Sequence, residues 1–106
     1  MIFKRKNRYI LVETSSPIDL SNRRIFEAVA TKLKTYLGEQ VFIESNPQII
    51  SKLDENNFIM KVTRGTEKQL FLALSFLKGV NDREIGFYTI KTSGTVRSIK
   101  DYFNSL

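Results

Sequence analysis

Two kinds of hydrophobic periodicity alternate along this chain, and their order restricts its fold more than any other feature. Short β-branched and aromatic runs are separated by longer stretches with apolar residues at helical spacing. Tyr9-Ile10-Leu11-Val12 is apolar on both faces, which predicts an interior strand of a covered sheet. Thr14 to Asp19 reads as a loop punctuated by Pro17. Ser21 is placed to cap a helix, with Leu20 and Ile25 as a hydrophobic staple. Phe26, Val29, Ala30, Leu33 and Leu37 form one stripe of that helix. Arg24, Glu27, Thr31 and Lys34 fall opposite, and Gly38 stands at the C-terminal cap.

The next stretch, Glu39 to Ser45, reads equally as a short strand or as an apolar helical turn. Asn46-Pro47 resets the chain. Gln48 to Leu53 and Phe58 to Thr63 predict an antiparallel hairpin across a turn at Asp54-Glu55-Asn56-Asn57. After Arg64-Gly65, Thr66 and Gln69 have the spacing of a capping box. The helix predicted over Glu67 to Lys78 is apolar at Leu70, Phe71, Leu72, Ala73, Leu74, Phe76 and Leu77. That band is wider than one buried face needs, so the helix is either deeply buried or partly turned to a partner. Gly79 ends it, and the charged loop Asn81 to Glu84 leads to a last strand, Gly86 to Thr92. Ser93-Gly94-Thr95 opens a final helix with Val96, Ile99, Phe103 and Leu106 inward and Arg97, Lys100 and Asp101 outward.

The resulting order is α+β: a β-α-β-β-α-β sandwich of ferredoxin-like pattern with an extra C-terminal helix. Its four-stranded sheet is expected to be mostly antiparallel, with helices packed on it. A length of 106 residues fits a single domain, residues 1–106, with 1–7 as a basic N-terminal arm.

Composition removes several chemistries. Without cysteine there is no disulfide framework, thiolate nucleophile or Cys-based metal site. Without histidine there is no imidazole base. The 11 acidic residues are scattered, and the pairs Asp54/Glu55 and Asp82/Glu84 fall in predicted turns. No nucleophile–base set emerges, so catalysis by the protein itself is not expected. No apolar run is long enough to span a membrane, and the stretch after the basic N-terminus is too short for a signal peptide. A cytoplasmic location is the expectation.

Charge is the first positive clue. Lys and Arg number 17, for a net charge of +6, which suits a polyanion partner. Lys4, Arg5, Lys6 and Arg8 are clustered with no acid among them. They can neutralise phosphates, or they can form a solvated tail. Arg64-Gly65 and Ser93-Gly94-Thr95 each precede a helix N-terminus, where an anion site and a plain cap are both open readings. Neither fits a P-loop. Tyr9, Phe58, Phe87 and Tyr88 fall on predicted strands. Core packing explains them better than base stacking, because the aromatic signature of RNA-recognition motifs is missing.

Several motifs in order resemble the ribonuclease P protein component 2 family, the small archaeal and eukaryotic subunit. They are Arg8-Tyr9-Ile10-Leu11-Val12-Glu13, Tyr36-Leu37-Gly38-Glu39, Asn46-Pro47 with Ile49-Ile50, Val62-Thr63-Arg64-Gly65, Ala73-Leu74, and Thr92-Ser93-Gly94-Thr95-Val96-Arg97. Glu39 to Ser45 departs from the family, which often has glycine and alanine there. The resemblance implies an RNA-recognition-type sandwich with no protein active site. It implies a subunit that supports the catalytic RNA in removing 5′ leaders from precursor tRNA, with magnesium on the RNA and no cofactor on the protein. The partners implied are ribonuclease P RNA, precursor tRNA indirectly, and protein component 3, in a heterodimer or in a heterotetramer through two copies of this chain.

On charge and motif position, the expected RNA-binding residues are Lys4, Arg5, Lys6, Arg8, Arg64, Lys91, Arg97 and Lys100. Tyr9, Gly38, Glu39, Gly65, Ser93, Gly94 and Thr95 are family-motif positions. Val41, Phe42, Ile43, Phe71 and Leu72 are candidates for a protein interface. Two other readings stay open on the sequence: a different RNA-binding accessory protein, ribosomal or RNA-folding, and a small-ligand-binding regulatory module of the same fold.

Overall fold

The first strand, β1 (Asn7–Thr14), is the spine of the molecule: it pairs antiparallel on both sides. The computed structural model describes residues 6–18, 21–76, 79–80 and 83–106. After β1 come α1 (Asn22–Leu37), α2 (Glu39–Ser45), β2 (Gln48–Lys52), β3 (Asn57–Thr63) and α3 (Glu67–Phe76). The chain continues through β4 (Gly79–Val80), β5 (Arg83–Glu84), β6 (Phe87–Ser93) and α4 (Val96–Asn104). The main sheet has the order β2-β3-β1-β6, with every neighbouring pair antiparallel. This is the expected β-α-β-β-α-β sandwich with an added C-terminal helix.

Both faces of the sheet are covered, as the apolar run in β1 requires. Alternation sends Ile10 and Val12 to one face and Leu11 to the other. The larger core joins Ile10, Val12, Phe58, Met60 and Val62 of the sheet to Ile25, Val29 and Leu33 of α1 and to Leu70, Ala73 and Leu74 of α3. Phe58 and Phe87 meet edge to face inside it, with ring centroids 6.4 Å apart. On the opposite face Leu11 and Ile59 are sealed by Ile99 of α4, with Tyr9, Ile50, Val96, Tyr102 and Phe103 packed around them. Side chains of this size each gain about 1.5–3 kcal/mol on full burial.

The helix ends follow their local chemistry. The Ser21 hydroxyl accepts the Arg24 N–H at 3.3 Å, so α1 starts at the predicted cap. Leu20, the proposed staple partner, lies outside the described residues. Gly38 adopts φ +83° and its N–H donates to the Lys34 carbonyl at 2.9 Å, which ends α1 and starts α2 at one residue. The ambiguous stretch is therefore helical. It stops where Asn46 turns left-handed, before Pro47. The β2–β3 turn is tied to β1: the Thr14 N–H donates to the Asn56 carbonyl at 2.7 Å, and the Asn56 side-chain amide returns a bond to the Thr14 carbonyl at 3.1 Å.

Four details differ from the sequence reading. Ile25, not Phe26, completes the buried stripe of α1: Ile25 lies in the larger core, while Phe26 is half-buried. At the start of α3, Glu67 rather than Gln69 reaches back, accepting the Gly65 N–H at 2.9 Å, while the Thr66 hydroxyl donates to the Thr63 carbonyl at 2.6 Å. The segment before β6 contains the short β4–β5 ladder, with Gly79 opposite Glu84, where an open loop was expected. Leu106 is 78 % exposed, because α4 ends at Asn104 and no longer carries the stripe. Leu77, Lys78 and Asp82 lie outside the described residues.

Candidate nucleic-acid interface

Three strand ends meet at one end of the main sheet. β1 begins there, and β3 and β6 finish there. Asn7 stands opposite Thr63, and Tyr9 stands opposite Ser93. The register thus gathers Lys6 to Arg8, Arg64-Gly65 and Ser93-Gly94-Thr95, three segments far apart in the sequence. The Lys6 carbonyl accepts the Arg64 N–H at 2.7 Å, so the backbone pairing extends to the basic residues themselves.

Arg8 is the centre of this site. Its Nε lies 3.9 Å from Glu67 Oε1, the oxygen that also accepts the Gly65 N–H. Its Nη1 lies 3.6 Å from the point where a Cβ on Gly94 would stand. The guanidinium therefore spans from the first turn of α3 to the turn before α4. Gly65 has φ +99°, the left-handed region that favours glycine and makes the tight β3–α3 turn.

Two shallow depressions flank the strand ends. One, of about 390 Å³, is lined by Lys6, Asn7, Arg8, Tyr9, Arg64 and Gly94. The other, of about 670 Å³, is lined by Lys6, Glu44, Thr63, Arg64, Gly65 and Thr66. Lys6 and Arg64 line both, so the two depressions adjoin at these cations as one basic trough. An open, cationic concavity on a rigid sheet end suits a run of phosphates rather than a small enclosed ligand.

The turn into α4 is a cap. The Thr95 hydroxyl accepts the Ser98 N–H at 3.2 Å, and Ser93 Oγ accepts the Thr95 N–H at 3.3 Å. Arg97 in the first turn of α4, and Lys100 a turn later, are exposed. Lys91 is set apart: its Nζ sits 5.2 Å from the centroid of the Tyr102 ring, on the α4 face of the sheet. Lys4 and Arg5 lie outside the described residues. Phe58 and Phe87 are buried, Tyr9 packs against the smaller core, and Tyr88 is exposed.

The sheet face that RNA-recognition motifs use for base stacking is closed here. Its central positions on β1 and β3 are Leu11 and Ile59, both fully buried under α4.

An apolar groove of about 190 Å³ lies elsewhere, between the end of α1, α2 and α3. Its lining is Tyr36, Leu37, Val41, Gln69, Leu72 and Ala73. Of the interface candidates, Val41 lines this groove and Leu72 is exposed on its wall, while Ile43 is exposed on α2. Phe42 and Phe71 turn inward and pack against the larger core, and Lys34 Nζ lies 5.1 Å from the Phe42 ring. Gly38 and Glu39 form the α1–α2 junction and line neither basic depression. The sequence reading missed Asn7, Glu44 and Glu67 as parts of the site. The available signal was Glu67, an acid two residues past a glycine turn and inside a helix's first turn.

Among the described residues, no group of three or more His, Cys, Asp or Glu side chains is placed to hold a metal ion. No described helix is long and apolar enough to cross a membrane.

Known proteins resemble this chain over most of its length. Ribonuclease P protein component 2 of Methanoculleus marisnigri is 26 % identical over 104 residues, covering 97 % of this chain and 64 % of the relative. The protein of the same name from Methanocorpusculum labreanum is 24 % identical over 97 residues, covering 92 % and 65 %. The chain thus spans just under two thirds of the length of these curated relatives. A chain in the cryo-EM structure of yeast ribonuclease MRP shares the fold, with a TM-score of 0.65 at 10 % identity, over 99 % of this chain and 94 % of that one. The family model for the Rpp14/Pop5 family matches residues 8–104, from Arg8 at the centre of the basic trough to the last residue of α4, and the chain belongs to that family.

Proposed function

We propose that the chain is a non-catalytic protein subunit of a ribonuclease P-type ribonucleoprotein, and that it binds the catalytic RNA through the basic end of its sheet. One observation carries this reading: the register that brings Lys6, Arg8 and Arg64 together beside Gly94 and the start of α4. With Leu11 and Ile59 buried, contact with RNA is through phosphates and shape, not through bases stacked on the sheet. Lys6, Arg8, Arg64, Arg97 and Lys100 screen phosphates of the folded RNA and lower its demand for magnesium. Lys4 and Arg5, next to Lys6 in the sequence, add charge to the same segment. Cleavage of the 5′ leader from precursor tRNA then belongs to the RNA and its bound magnesium. The groove at Val41 and Leu72, which shares no lining residue with the basic depressions, is assigned to a protein partner of the component 3 type.

The test is capture of the tagged full chain at mild salt, with the bound RNA sequenced and the eluate assayed on precursor tRNA. Recovery of one structured RNA, a component 3-type protein and 5′-leader cleavage is the expected result. A different RNA without cleavage would assign the chain to another RNA-folding role. Absence of RNA would favour a ligand-binding module and overturn the reading.

A further inference from the structure

An acidic residue, Glu67, stands at the edge of the basic trough, against Arg8, which lines it. Arg23 pairs with Glu27 on the solvent face of α1, and Arg8 pairs with Glu67 at the centre of the site. Glu67 Oε1 is anchored by the Gly65 N–H at 2.9 Å and faces Arg8 Nε at 3.9 Å. A backbone N–H at a strand-to-helix turn together with a guanidinium is the donor set that a phosphate oxygen takes. The carboxylate therefore stands where an incoming phosphate would bind. Its contact to Arg8 is long, and both side chains are partly exposed, so the pair can exchange.

We propose that Glu67 is a built-in competitor for the phosphate that Arg8 takes from RNA, and that it sets the selectivity of the trough. This rests on the RNA-binding reading above. A polyanion gains Arg8 only by displacing the carboxylate. An RNA that presents a phosphate at the right place recovers that interaction, and one that does not is repelled.

Glu67→Gln keeps an acceptor for the Gly65 N–H and removes the charge. With a labelled oligouridylate as the probe, the variant is expected to bind up to about five-fold tighter, the range open to an exposed ion pair. Its salt dependence should steepen by about 0.7, one further single-strand phosphate. Glu67→Ala should give the same gain with an unchanged far-ultraviolet spectrum. In an Arg8→Ala background most of the gain should vanish, and Glu27→Gln should give none. Equal affinity of wild type and Glu67→Gln, or the same gain without Arg8, overturns the proposal alone. Wild-type binding of structured ribonuclease P RNA that is undetectable, or that is unaffected by Arg8→Ala with Arg64→Ala, overturns the RNA-binding reading and the proposal with it.

Discussion

Arg8 passes directly beside Gly94: its Nη1 lies 3.6 Å from where a Cβ on that residue would stand. That distance is ordinary van der Waals contact, so Gly94→Ala should fold and bind as the wild type does. Gly94→Leu puts further carbons in the path of the guanidinium and should deflect it. The expected result is a fall of about 0.9 in the salt slope for structured RNA, matching Arg8→Ala, with an unchanged melting temperature. A full slope in Gly94→Leu would show that Arg8 does not act from this position.

The N-terminal cations should act as a group. Neutralising Lys4, Arg5, Lys6 and Arg8 together should reduce the salt slope of RNA binding by about 3–4. Titration of the variant against potassium chloride reads this directly. An unchanged slope would remove these residues from the interface.

Ile99 is fully buried against Leu11 and Ile59 and holds α4 on the sheet. Ile99→Ala should cost about 2–5 kcal/mol in urea unfolding, because the pocket is walled by rigid strands. Leu106→Ala, at an exposed position, should stay within about 0.5 kcal/mol of wild type.

Leu72 is 60 % exposed on the wall of the apolar groove. Leu72→Glu should change stability by less than about 0.5 kcal/mol and reduce capture of a component 3-type subunit while leaving RNA affinity intact. Undiminished capture would place that contact on another surface.

Asp54 gives the fold a pH dependence. Burial pushes its carboxyl upward, and it is the largest single influence. The Asn57 side chain, the Asn56 and Asn57 N–H groups and the Lys52 charge together outweigh it and hold the pKa below its ordinary 3.8. The folded pKa is depressed, so this contribution to stability is present above the unfolded value and is lost as pH falls through the folded one. Urea midpoints should therefore fall in acid below about pH 4, and Asp54→Asn should remove that component.

Much of this fold was legible because local signals agreed with the final packing. Tyr9 to Val12 announced a doubly covered strand, and Ser21 and Gly38 marked both ends of α1. The stretch from Glu39 to Ser45 was not legible, since Val41-Phe42-Ile43 suits either periodicity and only Gly38 and Asn46 decide it through their backbone angles. The choice of Glu67 over Gln69 at the start of α3 depends on how tightly the chain turns at Gly65. The basic residues were visible individually. Their meeting was not, because Arg8, Arg64 and Gly94 are joined only by strand register.

Photo-crosslinking of the full chain to ribonuclease P RNA, with the attached peptides identified by mass spectrometry, tests the central claim most directly. Crosslinks at Lys6 to Tyr9, at Arg64-Gly65 and from Gly94 to Lys100 are predicted, with none on the groove wall at Tyr36, Val41 and Leu72. Crosslinks concentrated on that groove, with the strand ends unmarked, would contradict the account.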